Sequence, residues 1–179
     1  MKNVAILIAF IVATCAAAFL FFSGRQADGD VPTKRFFTAK VDANSQEFLD
    51  ESEKVRTYKA ALEAMPDNFD ALYNIGISYR RIGKLVESID ALKKAVKLRP
   101  DHAKAYCHLG LSYGICGQDS EAVEAYREAV RVRPEYTYVH YCLGEAYMAV
   151  SDRENATKEY KILLERNKDL ARMLFDLIK

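Results

Sequence analysis

The chain has 179 residues, half of them apolar, enough to bury one sizeable core. Its 26 lysines and arginines nearly balance 25 aspartates and glutamates, a formal net charge of +1 that argues against a nucleic-acid surface. Four cysteines stand without disulfide-like or zinc-like spacing, so neither a disulfide framework nor a structural metal site is expected.

A short tail, residues 1–3, is followed by an apolar run over residues 4–22, interrupted only by Thr14 and Cys15. At about 1.5 Å per residue this run spans roughly 28 Å, close to the hydrocarbon thickness of a bilayer. A cleaved signal peptide is the alternative, but the run is longer than a usual signal core and ends in the bulky Phe19-Leu20-Phe21-Phe22. Val12-Ala13-Thr14-Cys15 is a poor lipidation box because threonine precedes the cysteine. The segment is therefore read as an uncleaved single-pass anchor. Counting Arg25, Lys34, Arg35 and Lys40 would keep the following residues on the cytoplasmic side. The tiny charged tail ahead of an apolar run points instead to export, with the soluble part on the periplasmic side, and that is the reading taken.

Residues 23–44 read as a linker, because Gly24, Gly29, Pro32 and scattered charges break any apolar period. Phe36-Phe37 fits a hydrophobic staple against the next helix. Asn44 with Glu47 suggests a capping box opening a helix over residues 45–66. Phe48, Val55, Tyr58, Leu62 and Met65 form its apolar stripe. Tyr58, Ala61, Leu62 and Pro66 stand 34 places before Leu92, Ala95, Val96 and Pro100, so this helix reads as the second half of a degenerate repeat.

The next hundred residues say almost the same thing three times, at residues 69–102, 103–136 and 137–168. Gly76, Gly110 and Gly144 fall in register, each after an aliphatic residue (Ile75, Leu109, Leu143) and three places before Tyr79, Tyr113 and Tyr147. Ser88, Ala122 and Ala156 follow, then Leu92, Tyr126 and Tyr160, with Pro100 and Pro134 closing the first two copies. Within each copy the apolar residues return every three or four places, one stripe per helix. A glycine inside such a helix costs about 1 kcal/mol unless it lets a neighbour approach. Gly83 and Gly117 stand where the first helix must turn, and the prolines stop the second. In the third copy Lys168 replaces the proline, and Asp169 is expected to cap a final helix over residues 169–179 with Leu170, Met173, Leu174, Leu177 and Ile178 on one face.

The period and the L-G-x2-Y…A-x3-F…P pattern resemble the tetratricopeptide repeat (TPR), a helix–turn–helix unit. The resemblance implies an all-α solenoid of stacked antiparallel helix pairs whose end copies need caps. It also implies an adaptor, with the first helices lining a concave groove that holds a protein or peptide. Carried across, that lining is Tyr73, Asn74, Ile77, Arg80 and Arg81, then Lys104, Cys107, His108, Leu111 and Ile115, then Tyr138, Tyr141, Cys142, Glu145 and Met148. The chaperone-tail clamp of some family members is not matched, since Tyr73, Ile77, His108, Tyr138 and Cys142 occupy its places. Tyr141 is the expected anchor for a partner, with Arg80 and Arg81 steering an acidic flank. Anchored arrays that resemble this one serve as assembly or scaffolding factors.

The sequence carries no phosphate loop, nucleophile elbow or H-E-x-x-H, so no cofactor and no enzymatic activity are expected. A rival reading is a thiol or metal enzyme built on Cys107, His108, His140 and Cys142, against which the cysteines and His140 read as core residues, and Cys116 reads as packing near a turn. A third is a self-associating scaffold whose groove takes a neighbour's terminal helix.

Overall fold

A computed structural model of the chain describes residues 45–179. The expected anchor (4–22), the linker (23–44), Phe36-Phe37 and Asn44 lie outside the described residues. Among the described residues no helix is long and apolar enough to cross a membrane. They form eight helices: α1 (Gln46–Ala64), α2 (Phe69–Arg81), α3 (Leu85–Leu98), α4 (Ala103–Ile115), α5 (Asp119–Val132), α6 (Thr137–Ala149), α7 (Arg153–Arg166) and α8 (Lys168–Ile178).

Local chemistry sets the boundaries. The N-cap of α1 is Ser45, not the expected Asn44, and its Oγ accepts from the Phe48 N–H at 3.2 Å. Because Phe48 occupies the third helical position, the reciprocal glutamate of a capping box is missing. Asn68 caps α2 through the Ala71 N–H at 3.1 Å. One repeat later, Nδ1 of His102 does the same for the Ala105 N–H at 3.1 Å. Met65, Arg99 and Arg133 leave the helical region with ψ of 90°, 85° and 86°, as a residue before proline must. Gly83 and Gly117 both take φ of 80°, as expected of them, and Ser151 takes 62° at the same place in the third repeat.

The helices pair as α2 with α3, α4 with α5 and α6 with α7, each pair packed on the next, with α1 against α2. The glycines explain how closely they pair. A Cβ on Gly76 would lie 2.6 Å from Leu92 Cγ of α3, and one on Gly110 would lie 2.7 Å from the Tyr126 ring of α5. Leu92 is fully buried, which stabilises by about 2 kcal/mol. Ser88 Oγ stands 2.7 Å from Gly76 O and 2.8 Å from Ser112 Oγ, which stands 3.1 Å from His108 O. This polar stitch joins α2, α3 and α4. Two hydroxyl protons serve its three pairs, so one pair goes without a proton.

Successive first helices (α2, α4, α6) touch one another, whereas the second helices (α3, α5, α7) do not. The stack therefore curves, with the first helices inside. At its end α8 packs on both α6 and α7. Its N-cap is Asn167, whose side chain accepts from the Asp169 and Leu170 N–H groups at 3.1 Å each, so Asp169 does not take the capping role expected of it. Asn167 is at once the end of α7 and the start of α8, so no linker separates them. Ala171 and Leu174 of α8 are fully buried, and Phe175 stacks on Tyr160 of α7 at 5.5 Å.

Candidate functional site

The inner face divides into an open layer and an enclosed one. Tyr73, Asn74, Ile77 and Arg81 of α2, Lys104 and Ile115 of α4, and Tyr138, Glu145 and Met148 of α6 are half-buried. Arg80, His108, Leu111 and Tyr141 are buried, each only 3 % exposed. These four do not form the accessible lining expected of them. They lie where the first helices face one another at close range, and the helix-to-helix approach encloses them. Sequence register identifies the slot but not whether a neighbouring repeat covers it.

At the first-repeat end the rings cluster. Tyr73 stacks on Phe69 with centroids 5.8 Å apart and meets His102 and His108 edge-on at 5.2 and 5.5 Å. Arg99 covers Phe69 at 4.1 Å. Burial and the Arg99 charge hold His102 below the ordinary histidine range, so its Nδ1 stays an acceptor for the cap. Asn74 spends its amide on the Asp70 carbonyl of its own helix at 2.7 Å.

The basic residues are already engaged. Arg81 Nη1 pairs with Glu51 Oε1 of α1 at 2.7 Å, and Lys54 meets the same oxygen at 2.8 Å. Burial alone would raise the Glu51 carboxyl, but hydrogen bonds from Lys54, Ser78 and Arg81 more than offset it and hold it below the usual range. Arg80 Nη2 lies 3.5 Å from His108 Nδ1. Burial and the charge of Arg81 push the Arg80 guanidinium down to about 10, still protonated at neutral pH. Burial and the Arg80 charge hold His108 well below its ordinary value, so the neutral ring accepts from Arg80. Electrostatic steering by this pair, expected from sequence, is thus weakened at its source: Arg81 is neutralised by Glu51 and Arg80 is enclosed.

At the third-repeat end Tyr141 donates to Glu145 Oε1 at 2.8 Å and belongs to the core shared by the second and third repeats. His140 turns the other way, with Nδ1 2.6 Å from Glu159 Oε2 of α7 and Nε2 2.8 Å from the Pro134 carbonyl. Both partners accept, so the ring carries both protons. Burial disfavours that charge, but Glu159 and the Pro134 carbonyl outweigh it and the histidine is raised above its ordinary value. The four residues of the rival enzyme therefore split up: His140 faces α7, His108 faces Arg80, and Cys107 and Cys142 stay together in the core. Cys116, expected to pack near a turn, is exposed at the end of α4. A cavity of about 430 Å³ opens elsewhere, between the start of α5 and the α6–α7 turn, and shares no residue with the inner face.

Sequence reasoning missed Glu51 and His102. The first carries no local signal, since its partner Arg81 is 30 residues away. The second was legible in the period, because Asn68 and His102 hold the same cap position one repeat apart.

Curved stacking of helix pairs, glycine notches in the first helices and proline stops after the second give the described residues a TPR fold. The TPR repeat family model matches twice in succession, over residues 78–114 and 115–150. Among solved structures the chain is similar to MamA. One MamA crystal structure shares 25 % identity over 69 % of this chain and 84 % of its own, with a TM-score of 0.62. MamA from Desulfovibrio magneticus RS-1 shares 27 % over 67 % of this chain and 68 % of its own, at 0.63. A further MamA structure, at 23 % identity over 80 % and 88 % of the two chains and a TM-score of 0.65, supports the fold alone. No curated protein matches the sequence.

Proposed function

We propose that this protein is an adaptor, an assembly or scaffolding factor rather than an enzyme, which holds another protein or peptide against the inner face of its repeats. Residues 4–22 tether it to a membrane, with the repeats on the exported side. One observation supports the reading above the others. Half-buried Tyr73, Ile77, Ile115, Tyr138 and Met148 come from three successive first helices and share the curved inner side. Apolar and aromatic surface gathered on one face marks an interaction site, and tyrosine gives large contact area at low entropic cost. The open layer, not Tyr141, holds the contact residues in this reading.

A photocrosslinking residue at Ile77 or Ile115 in the intact anchored protein tests it, with the exposed convex position Val86 as the control. The expected result is a discrete adduct from the two inner positions and none from Val86. Equal adducts from all three, or none from the inner pair, would overturn the reading. Protease accessibility of the repeats in sealed vesicles tests the exported orientation.

A further inference from the structure

The third repeat differs from the other two at a pair of positions. His140 of α6 stands 34 places after Tyr106 and 68 after Leu72, while Glu159 of α7 stands 34 after Ala125 and 68 after Ala91. Both places are apolar in the first two repeats and both are ionisable in the third. There the two side chains meet, Nδ1 of His140 lying 2.6 Å from Glu159 Oε2. The pair is largely enclosed, its side chains 4 % and 13 % exposed. Nε2 lies 2.8 Å from the Pro134 carbonyl, which also accepts from Arg166 of α7. Glu159 and Arg166 bring charge to the ring from α7, and the α5–α6 turn brings the carbonyl. α4 and α8 join α6 in an apolar core, through Leu111 and Leu174.

A ring held between two acceptors needs both of its protons. Once one leaves, one of the contacts at 2.6 and 2.8 Å becomes acceptor against acceptor, whichever nitrogen keeps the other proton. Glu159 also loses its counter-charge inside a packed junction, which costs more than at an exposed site. Burial favours that loss, but the bonds to Glu159 and Pro134 outweigh it, so the proton departs above the ordinary histidine value. The junction therefore holds at lower pH and weakens as pH rises through the folded value. Asn167 ends α7 and caps α8 with no linker between them, so the two helices move together. We propose that the third repeat is a pH-operated latch, in which the His140 proton holds α7 and α8 on α6 and its loss as pH rises frees them as one unit. Release uncovers the Gly144 notch that Leu174 fills and dismantles the third-repeat end of the inner face. The latch is independent of the partner reading.

The test is hydrogen exchange of the full chain, read helix by helix at about pH 6 and about pH 9. The reference is the double variant His140→Tyr with Glu159→Ala, which installs the apolar pair of the second repeat. Dividing parent by variant at each pH cancels the intrinsic pH dependence of exchange. The expected result is that α7 and α8 lose protection at least about threefold relative to the variant between the two conditions, while α2 and α3 do not. An equal change in α2 and α3, no loss in α7 and α8, or a response confined to α7 would each overturn the latch. If the double variant fails to fold, the ring of the parent decides by NMR. Both nitrogens should carry protons at about pH 6, and the resonances of α7 and α8 should shift as the ring titrates. A singly protonated ring at that pH, or a titration that leaves those helices unmoved, would overturn it as well.

Discussion

In the first two repeats the glycine notch of the first helix receives a side chain from the same repeat, Leu92 over Gly76 and Tyr126 over Gly110. In the third, the notch at Gly144 is filled from outside the repeat by Leu174 of α8. Other departures cluster there. Ser151 holds the left-handed turn that Gly83 and Gly117 hold elsewhere, and Lys168 stands where the other repeats have their proline stop. α8 packs on both helices of the third repeat and completes its core. This is why the terminal helix reads as structural rather than as a detachable docking element. A repeat at the end of an array is stabilised by what caps it, and its sequence can drift where the cap takes over.

The largest effect should come from the notch. Leu174→Ala removes a fully buried side chain from between α6, α7 and α8 and should destabilise by about 3 kcal/mol. Urea unfolding should show the loss, and a change below about 1 kcal/mol would mean that the third repeat closes without α8. Next comes the pair that joins α7 to α6. His140→Gln should cost about 1.5–3 kcal/mol, as loss of hydrogen bonds to a charged group does. Because the folded histidine is raised, its contribution is complete below the unfolded value near 6.5 and fades as pH rises through the folded one. The gap between parent and variant should therefore be widest below about pH 6.5 and close as the pH rises. A gap that widens at alkaline pH would contradict the doubly protonated ring. The smallest effect is a reciprocal exchange at the turn. Ser151→Gly should stabilise by about 0.5–1 kcal/mol and Gly117→Ser should destabilise by a similar amount, since only the glycine takes positive φ without Cβ strain. Equal signs in thermal melts would show that the two turns are not equivalent.

The period of 34 made most of this fold legible, because glycines, turn residues and prolines are local devices that repeat with the chain. Whether a slot on the inner face is open depends instead on which side chain from another repeat lies over it. Tyr73 and Tyr141 stand in equivalent slots, yet one is half-exposed and the other enclosed and bonded to Glu145. Nothing in the local sequence separates them. Arg81 likewise looked free to steer a partner until α1 placed Glu51 beside it. The third notch was hidden for the same reason, since Leu174 lies 30 places beyond Gly144 in a helix that the repeat pattern does not include.

The most direct test of the central claim sets the open layer against the enclosed one in the same crosslinking assay. With the photoreactive residue at Ile77, the account predicts that Ile115→Asp abolishes the adduct while the melting temperature stays within a few degrees of the parent. Tyr141→Ala should instead lower the melting temperature by roughly the amount that about 3 kcal/mol of lost core packing implies. An adduct that survives Ile115→Asp at full yield, or a Tyr141→Ala variant that keeps its melting temperature and loses the adduct, would contradict the account.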